Sequence, residues 1–179
     1  MASRHLSADQ LNQIQFESGF STFRIDYLLG QYESLDRDGE GRVLRSELLK
    51  VPPIAAHPLA DRLVDVYLHP SHGFRHFIYG LSRFRRSESL ELKLQSLLQM
   101  FDSDGNGILN ENQCNELLLC LPATRHELRS MRWKLKQLMA AQLMETKDIP
   151  LDVGYINCQD LAYITRDVDL DQTLSLRFD

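Results

Sequence analysis

The chain has 179 residues, 43% of them hydrophobic and 25% charged, enough for one large domain or two small lobes with real cores. Its formal net charge of −5 argues against a non-specific nucleic-acid surface. No apolar run approaches a membrane span: Leu117-Leu118-Leu119-Cys120-Leu121 is too short. No signal peptide is legible, and Met1-Ala2 lacks the glycine that N-myristoylation needs, so a cytoplasmic protein without its own membrane anchor is expected. Three cysteines, Cys114, Cys120 and Cys158, are an odd number without C-x-x-C spacing and read as small buried residues in a reducing compartment.

In chain order, Ser7-Ala8-Asp9-Gln10 is a capping box that opens a first helix. Phe23, Tyr27 and Leu28 form a helical stripe leading to the segment Asp36-Arg37-Asp38-Gly39-Glu40-Gly41-Arg42-Val43-Leu44-Arg45-Ser46-Glu47. Pro52-Pro53 stops the helix that leaves it. Leu90, Leu94, Leu97, Leu98 and Phe101 make a second stripe. It leads to Asp102-Ser103-Asp104-Gly105-Asn106-Gly107-Ile108-Leu109-Asn110-Glu111-Asn112-Gln113. Both segments have the pattern of an EF-hand calcium loop, with oxygen side chains at positions 1, 3 and 5, glycine at 6, a backbone carbonyl at 7 and an apolar residue at 8.

EF-hands pair, so halving the interval between positions 36 and 102 predicts another loop near residue 69. There, Val64-Asp65-Val66-Tyr67-Leu68 reads as an exiting helix, but His69-Pro70-Ser71-His72-Gly73-Phe74-Arg75-His76-Phe77 lacks acidic ligands and looks short. It reads as a degenerate hand kept for packing. Arg83-Phe84-Arg85-Arg86-Ser87-Glu88 reads as a short, solvated basic connector. Thr124-Arg125-His126-Glu127 caps an amphipathic helix running to about Met144. Leu128, Met131, Leu135, Leu138 and Gln142 share one face, with Arg129, Arg132, Lys134 and Lys136 mostly off it. In a fourth hand, Gly154 and Ile156 fall at positions 6 and 8 and Asp160 at position 12. Ile149, Leu151 and Val153 then occupy positions 1, 3 and 5, so no calcium is expected. Val168, Leu170, Leu174, Leu176 and Phe178 alternate as the inner side of an extended tail that must pair or dock.

Loop one supplies four carboxylates, Asp36, Asp38, Glu40 and Glu47, with the carbonyl of Arg42. Glu47 can grip an ion with both oxygens. Loop three supplies Asp102 and Asp104 as charges, with neutral oxygens from Asn106 and Asn110 and the carbonyl of Ile108. Gln113 replaces the bidentate glutamate with a single neutral oxygen. Charge count and bidentate grip tune affinity, so the third site is expected to be weak or to prefer magnesium. His69, His72 and His76 could also form a zinc site, against the plainer reading of surface histidines on a degenerate hand. Met100, Met131, Met139 and Met144 fit either core packing or an adaptable groove for a partner helix. No nucleophile elbow, phosphate loop or paired catalytic set is present, which speaks against an enzyme.

Glu17-Ser18-Gly19-Phe20-Ser21, His57-Pro58-Leu59-Ala60-Asp61-Arg62, Phe77-Ile78-Tyr79-Gly80-Leu81-Ser82-Arg83-Phe84 and the tail from Asp167 to Phe178 carry a narrower resemblance. With the loops, they resemble calcineurin B and, somewhat more closely, the calcineurin B homologous proteins over nearly the whole chain. The resemblance implies two lobes with a hydrophobic groove for a partner's amphipathic helix, which the tail can cover or line. That helix belongs to a serine/threonine phosphatase catalytic subunit in one branch and to a sodium–proton exchanger in the other. The chain departs from the family in keeping two loops rather than four, in having its better loop first, and in lacking the second-position glycine.

The expectation is therefore an all-α, four-EF-hand protein with short β bridges between loops. Its parts are an N-terminal lobe at 1–86, a C-terminal lobe at 87–166 and a tail at 167–179. It would act without catalysis as a calcium-binding regulatory subunit or adaptor for the amphipathic helix of a sodium–proton exchanger or similar partner, membrane-associated only through that partner, with a divergent calcineurin regulatory subunit as the alternative. A free calcium buffer is the competing class.

Overall fold

The computed structural model describes residues 6–145 and 154–178. They fall in two compact units, one comprising residues 1–85 with 176–179, the other residues 86–175.

The first unit starts with α1 (Ala8–Ser18). The Ser7 side chain accepts from the Gln10 N–H at 3.2 Å, and Gln10 accepts in return from the Ser7 N–H at 3.0 Å. α2 (Thr22–Leu35) enters loop one, and α3 (Arg45–Leu48) leaves it as little more than a turn. The prolines at 52 and 53 then open α4 (Pro52–Ala55), where a missing N–H costs nothing. α5 (Ala60–Val66) and α6 (Gly73–Ser82) flank the degenerate second loop, which a 3-10 turn at Pro70–His72 shortens. A Cβ at Gly80 would collide with the carbonyl oxygen of Tyr67, so this glycine lets α6 lie against the end of α5.

The buried face of α2 is Ile25, Leu28 and Tyr32; Phe23, expected in the stripe, is 78% exposed and Tyr27 is exposed as well. Tyr32 packs on Phe74 and Phe77 of α6, with ring centroids 5.6 and 5.1 Å away. The basic segment after α6 is folded structure rather than solvated connector. Phe84 is fully buried between His57 and Tyr67. Arg83 lies over the Tyr67 ring, and Arg85 donates to the Gly19 carbonyl at 2.6 Å. The Leu176 N–H donates to the Phe84 carbonyl at 2.7 Å, which adds the end of the tail to this unit.

In the second unit, α7 (Leu90–Phe101) and α8 (Glu111–Cys120) flank loop three, and α9 (Arg125–Glu145) and α10 (Cys158–Thr165) form the fourth hand. Leu90 is exposed, while Leu94, Leu97, Leu98 and Phe101 are buried as expected. Met131, Leu135 and Met139 form the buried stripe of α9. Leu109 and Ile156 exchange two backbone hydrogen bonds, 2.9 and 2.8 Å long, as an antiparallel bridge between the third and fourth loops. The first unit shows no counterpart: among the described residues the other isolated bridge is Arg85–Leu176. Cys114 is buried, its thiol pushed up to about 12 chiefly by burial, but Cys120 is exposed and Cys158 half-buried, contrary to expectation.

The tail is not wholly extended. Residues 170–174 form α11 (Leu170–Leu174), capped by the Asp169 side chain. α11 packs on α7, and two buried lysines, Lys93 on α7 and Lys134 on α9, meet acids of the tail. Lys93, fully buried, donates to Asp171 at 2.7 Å and to the Ser175 hydroxyl at 3.0 Å. Lys134, which the periodicity put off the apolar face, is also buried and pairs with Asp167. An ammonium withdrawn from water is tolerable only with such partners.

Asp171→Ala is therefore expected to lower the unfolding free energy by about 2–4 kcal/mol, because it strands a buried charge. Lys93→Met in the same background should recover most of that loss; urea titrations in which it recovers none would contradict the account. The hydrogen bond from Lys134 holds Asp167 below the ordinary carboxylate range. A depressed carboxyl stabilises the fold above its unfolded pKa, about 4, and loses that contribution as pH falls. Asp167→Asn should thus flatten the acid limb of stability against pH, while leaving the limb above pH 7 with its wild-type slope.

Candidate metal centre

The two loops take the same backbone path. Asp36 and Asp102 end α2 and α7 with φ/ψ of −79/82 and −80/80. The glycines at positions 4 and 6 have positive φ in both, 68 and 80 in loop one against 67 and 79 in loop three. Residues with a Cβ resist that region, so Gly41 and Gly107 are dictated by the turn. Each turn is tied by the same bond: Asp36 Oδ2 accepts the Gly41 N–H at 2.6 Å, and Asp102 Oδ2 accepts the Gly107 N–H at 2.7 Å. Position 8 is buried in both, as Val43 and Leu109.

Beyond that shared frame the loops differ. Asp36 Oδ1 is buried without a hydrogen-bond partner, an uncompensated lone-pair site of the kind a cation satisfies. Asp38, Glu40 and Arg42 lie around the turn, the two acids exposed and Val43 beneath them buried. Glu47 is already held by cations: Lys50, beyond the loop, donates to Oε1 at 2.9 Å, and Arg37, at position 2, reaches Oε2 at 3.4 Å. The Lys50 bond chiefly, with the Arg37 charge, keeps the Glu47 carboxyl below its usual range against the opposing effect of its burial. Among the described residues no three His, Cys, Asp or Glu side chains are grouped to hold an ion as they stand. The donor set of loop one fits calcium in number and charge, and its gathering requires Glu47 to exchange Lys50 and Arg37 for the ion.

Loop three does not present the same fit. Both oxygens of Asp102 accept backbone N–H groups, Oδ1 from Gly105 at 2.9 Å and Asn106 at 3.3 Å. Asn106 Oδ1 accepts the Ile108 N–H at 3.1 Å. Gln113 Oε1, the one oxygen that could replace the bidentate glutamate, accepts the Asn110 N–H at 2.9 Å in a capping box. Its amide nitrogen turns into the loop and donates to Ser103 Oγ at 2.8 Å and towards Asp104 Oδ2 at 3.4 Å. Flipping the amide would set its NH2 against the Asn110 N–H, donor on donor, so the cap fixes the orientation. An N–H donor therefore faces the acid that would ligate a cation.

Of the fourth hand's ligand positions, Ile149, Leu151 and Val153 lie outside the described residues. Asp160 at position 12 caps α10 together with Asn157. Gln142, grouped with the apolar face of α9, brackets the Tyr155 backbone with bonds of 2.7 and 2.9 Å. At the degenerate second loop the rings of His69 and His72 meet edge-on with centroids 5.4 Å apart, and those of His72 and His76 lie tilted at 4.5 Å. His76 is shifted down by burial, and further by its neighbours His72 and His69. Sequence reasoning missed Lys50, whose i, i+3 spacing from Glu47 was a readable signal. It also missed two capping boxes, Asn110-x-x-Gln113 and Asn157-x-x-Asp160.

No protein-family model matches the chain. It is similar to a calcineurin B protein of Naegleria gruberi, 23% identical over 175 residues that cover 96% of each chain. The type 1 calcineurin B protein of Dictyostelium discoideum is 27% identical over 129 residues, 69% of this chain and 72% of that one. The calcineurin B protein of Yarrowia lipolytica is 34% identical over 107 residues, 58% of this chain and 62% of that one. With twin loops of one backbone path, paired hands and this similarity along most of its length, the chain is similar to calcineurin B proteins, which are EF-hand proteins.

Proposed function

We propose that the chain is a calcium-binding regulatory subunit of calcineurin type, cytoplasmic and without catalysis of its own, which holds an amphipathic helix of a phosphatase catalytic subunit. The observation that carries the reading is the similarity to a calcineurin B protein over 96% of both chains. All three relatives described above bear the name of calcineurin subunits, which weights the partner towards a phosphatase over a sodium–proton exchanger. Exposed apolar side chains in each unit, Phe16 and Phe23 in the first and Trp133 and Met144 in the second, suit an adaptor better than a free buffer. Among the described residues no helix is long and apolar enough to cross a membrane, so membrane contact would come through a partner.

Loop one is the proposed calcium site. Asp36, Asp38, Glu40 and Glu47 with the Arg42 carbonyl would hold the ion, and the buried, unpartnered Asp36 Oδ1 supports this choice. Calcium supplies there a compact charge able to balance carboxylates that otherwise repel one another. Asp102, Asp104, Asn106, Ile108 and Gln113 of loop three would bind weakly, because Gln113 Oε1 already caps α8 and its amide faces Asp104.

Tagged protein isolated from its own cells, with calcium and with chelator, should bring down a phosphatase catalytic subunit identifiable by mass spectrometry. Recovery of a transporter, or of no partner, would overturn this assignment. Calorimetry should find calcium uptake abolished by Asp36→Ala and nearly unchanged by Asp102→Ala. Gln113→Glu, which restores a carboxylate in place of the amide, should raise affinity at loop three by at least about tenfold.

A further inference from the structure

In the second unit the loops of a pair are joined by backbone: Leu109 and Ile156 exchange two hydrogen bonds. In the first unit Val43 occupies the equivalent position 8 and is buried, yet among the described residues it makes no such bridge. The cause lies in the second hand. Its connection is contracted around Pro70, which has no N–H to give, into a 3-10 turn. Loop one therefore needs another attachment to the helices of its partner hand.

Arg45 supplies one. It is residue 10 of loop one and the first residue of α3. Its Nε donates to Asp65 Oδ1 at 2.6 Å and its Nη2 to Asp65 Oδ2 at 3.1 Å, while Nη2 also meets Asp61 Oδ1 at 2.7 Å. Asp61 and Asp65 stand one helical turn apart on α5, so a single guanidinium spans the turn. A bidentate fork fixes direction as well as distance, which a lone ammonium does not. Glu47, two residues after Arg45, lies in the same short turn. Because both stand on this one short helix, a shift of the turn at Glu47 would reach Arg45 and, through its fork, α5. In loop three, position 10 is the acid Glu111, which cannot make this fork.

We infer that Arg45 is a positioning residue that couples loop one to α5 of the second hand through Asp61 and Asp65, in the role the Leu109–Ile156 bridge has in the other unit. The inference rests on the reading of loop one as the calcium site and adds how occupancy there reaches the rest of the unit. The link is carried by exposed charges and is therefore open to screening by salt, whereas a buried backbone bridge is not.

Hydrogen exchange read by mass spectrometry on the full chain, with and without calcium, tests it alongside calorimetry. In the wild type, calcium should increase protection of the α5 amides around Leu63 and Val64. Arg45→Lys keeps the charge and loses the fork, and Asp61→Asn with Asp65→Asn removes the partners. Both should still take up calcium, while the protection gained by α5 falls roughly fivefold. High salt should reproduce that loss in the wild type and add little to Arg45→Lys. A full gain of α5 protection in both variants, with calcium bound, would overturn the coupling and leave the calcium site standing. Failure of the wild type to take up calcium would instead overturn the reading of loop one and, with it, the coupling.

Discussion

A carboxylate at the end of an entering helix that accepts the amide five residues later is the bond on which both loops depend. Asp36 holds Gly41 and Asp102 holds Gly107 in this way, and each bond closes a turn that only glycine at position 6 can make. The turn carries position 8 inwards, as Val43 or Leu109, and starts the exiting helix at a set angle. Everything at the rim follows from this frame: where the position 12 residue stands, which neighbours reach it, and whether any oxygen is left over. In loop one an oxygen of Asp36 is left over; in loop three both oxygens of Asp102 are consumed by backbone.

The two loops show how a constant frame accommodates opposite chemistry. Glu47 is negative and draws Lys50 and Arg37 to itself, so loop one rests as a set of acids restrained by exchangeable cations. Gln113 is neutral and amphoteric, giving its oxygen to the Asn110 cap and its N–H to the loop, so loop three satisfies itself internally. The difference of a single side-chain atom at position 12 decides which of the two is poised to accept an outside charge. The units differ too: in one the paired loops share a backbone bridge between Leu109 and Ile156, while in the other Arg45 reaches the partner hand through side chains.

The loops were legible in the sequence because glycine at position 6 and oxygen at position 1 answer to local geometry alone. So were the capping boxes at Ser7 and Thr124, whose partners lie three residues away. What escaped was non-local or ambiguous in period. Leu170 and Leu174 are spaced by four, which suits both a strand and a helix, and Asp169 as a cap settled the matter in favour of α11. Lys93 looks like a surface residue until Asp171, far along the chain, is brought to it. Phe84 lies in a run of arginines that reads as solvated, yet the ring is buried and the arginines find aromatic faces and a carbonyl beside it. Phe23 and Tyr27 matched a helical stripe whose buried side proved to be Ile25, Leu28 and Tyr32.

The late position of Asp167, Asp171 and Leu176 has a consequence for biosynthesis. Lys93 and Lys134 belong to helices made early in the second unit, but their counter-charges are translated only with residues 167–171. The first unit is likewise unfinished until Leu176 emerges to meet the Phe84 carbonyl. Domains usually complete themselves in order from the N-terminus as the ribosome advances. Here each unit lacks contacts of its own until residues 167–176 have been made. A partner met during synthesis before residues 167–176 are made would therefore find Lys93 and Lys134 without their counter-charges and Phe84 without its Leu176 bond.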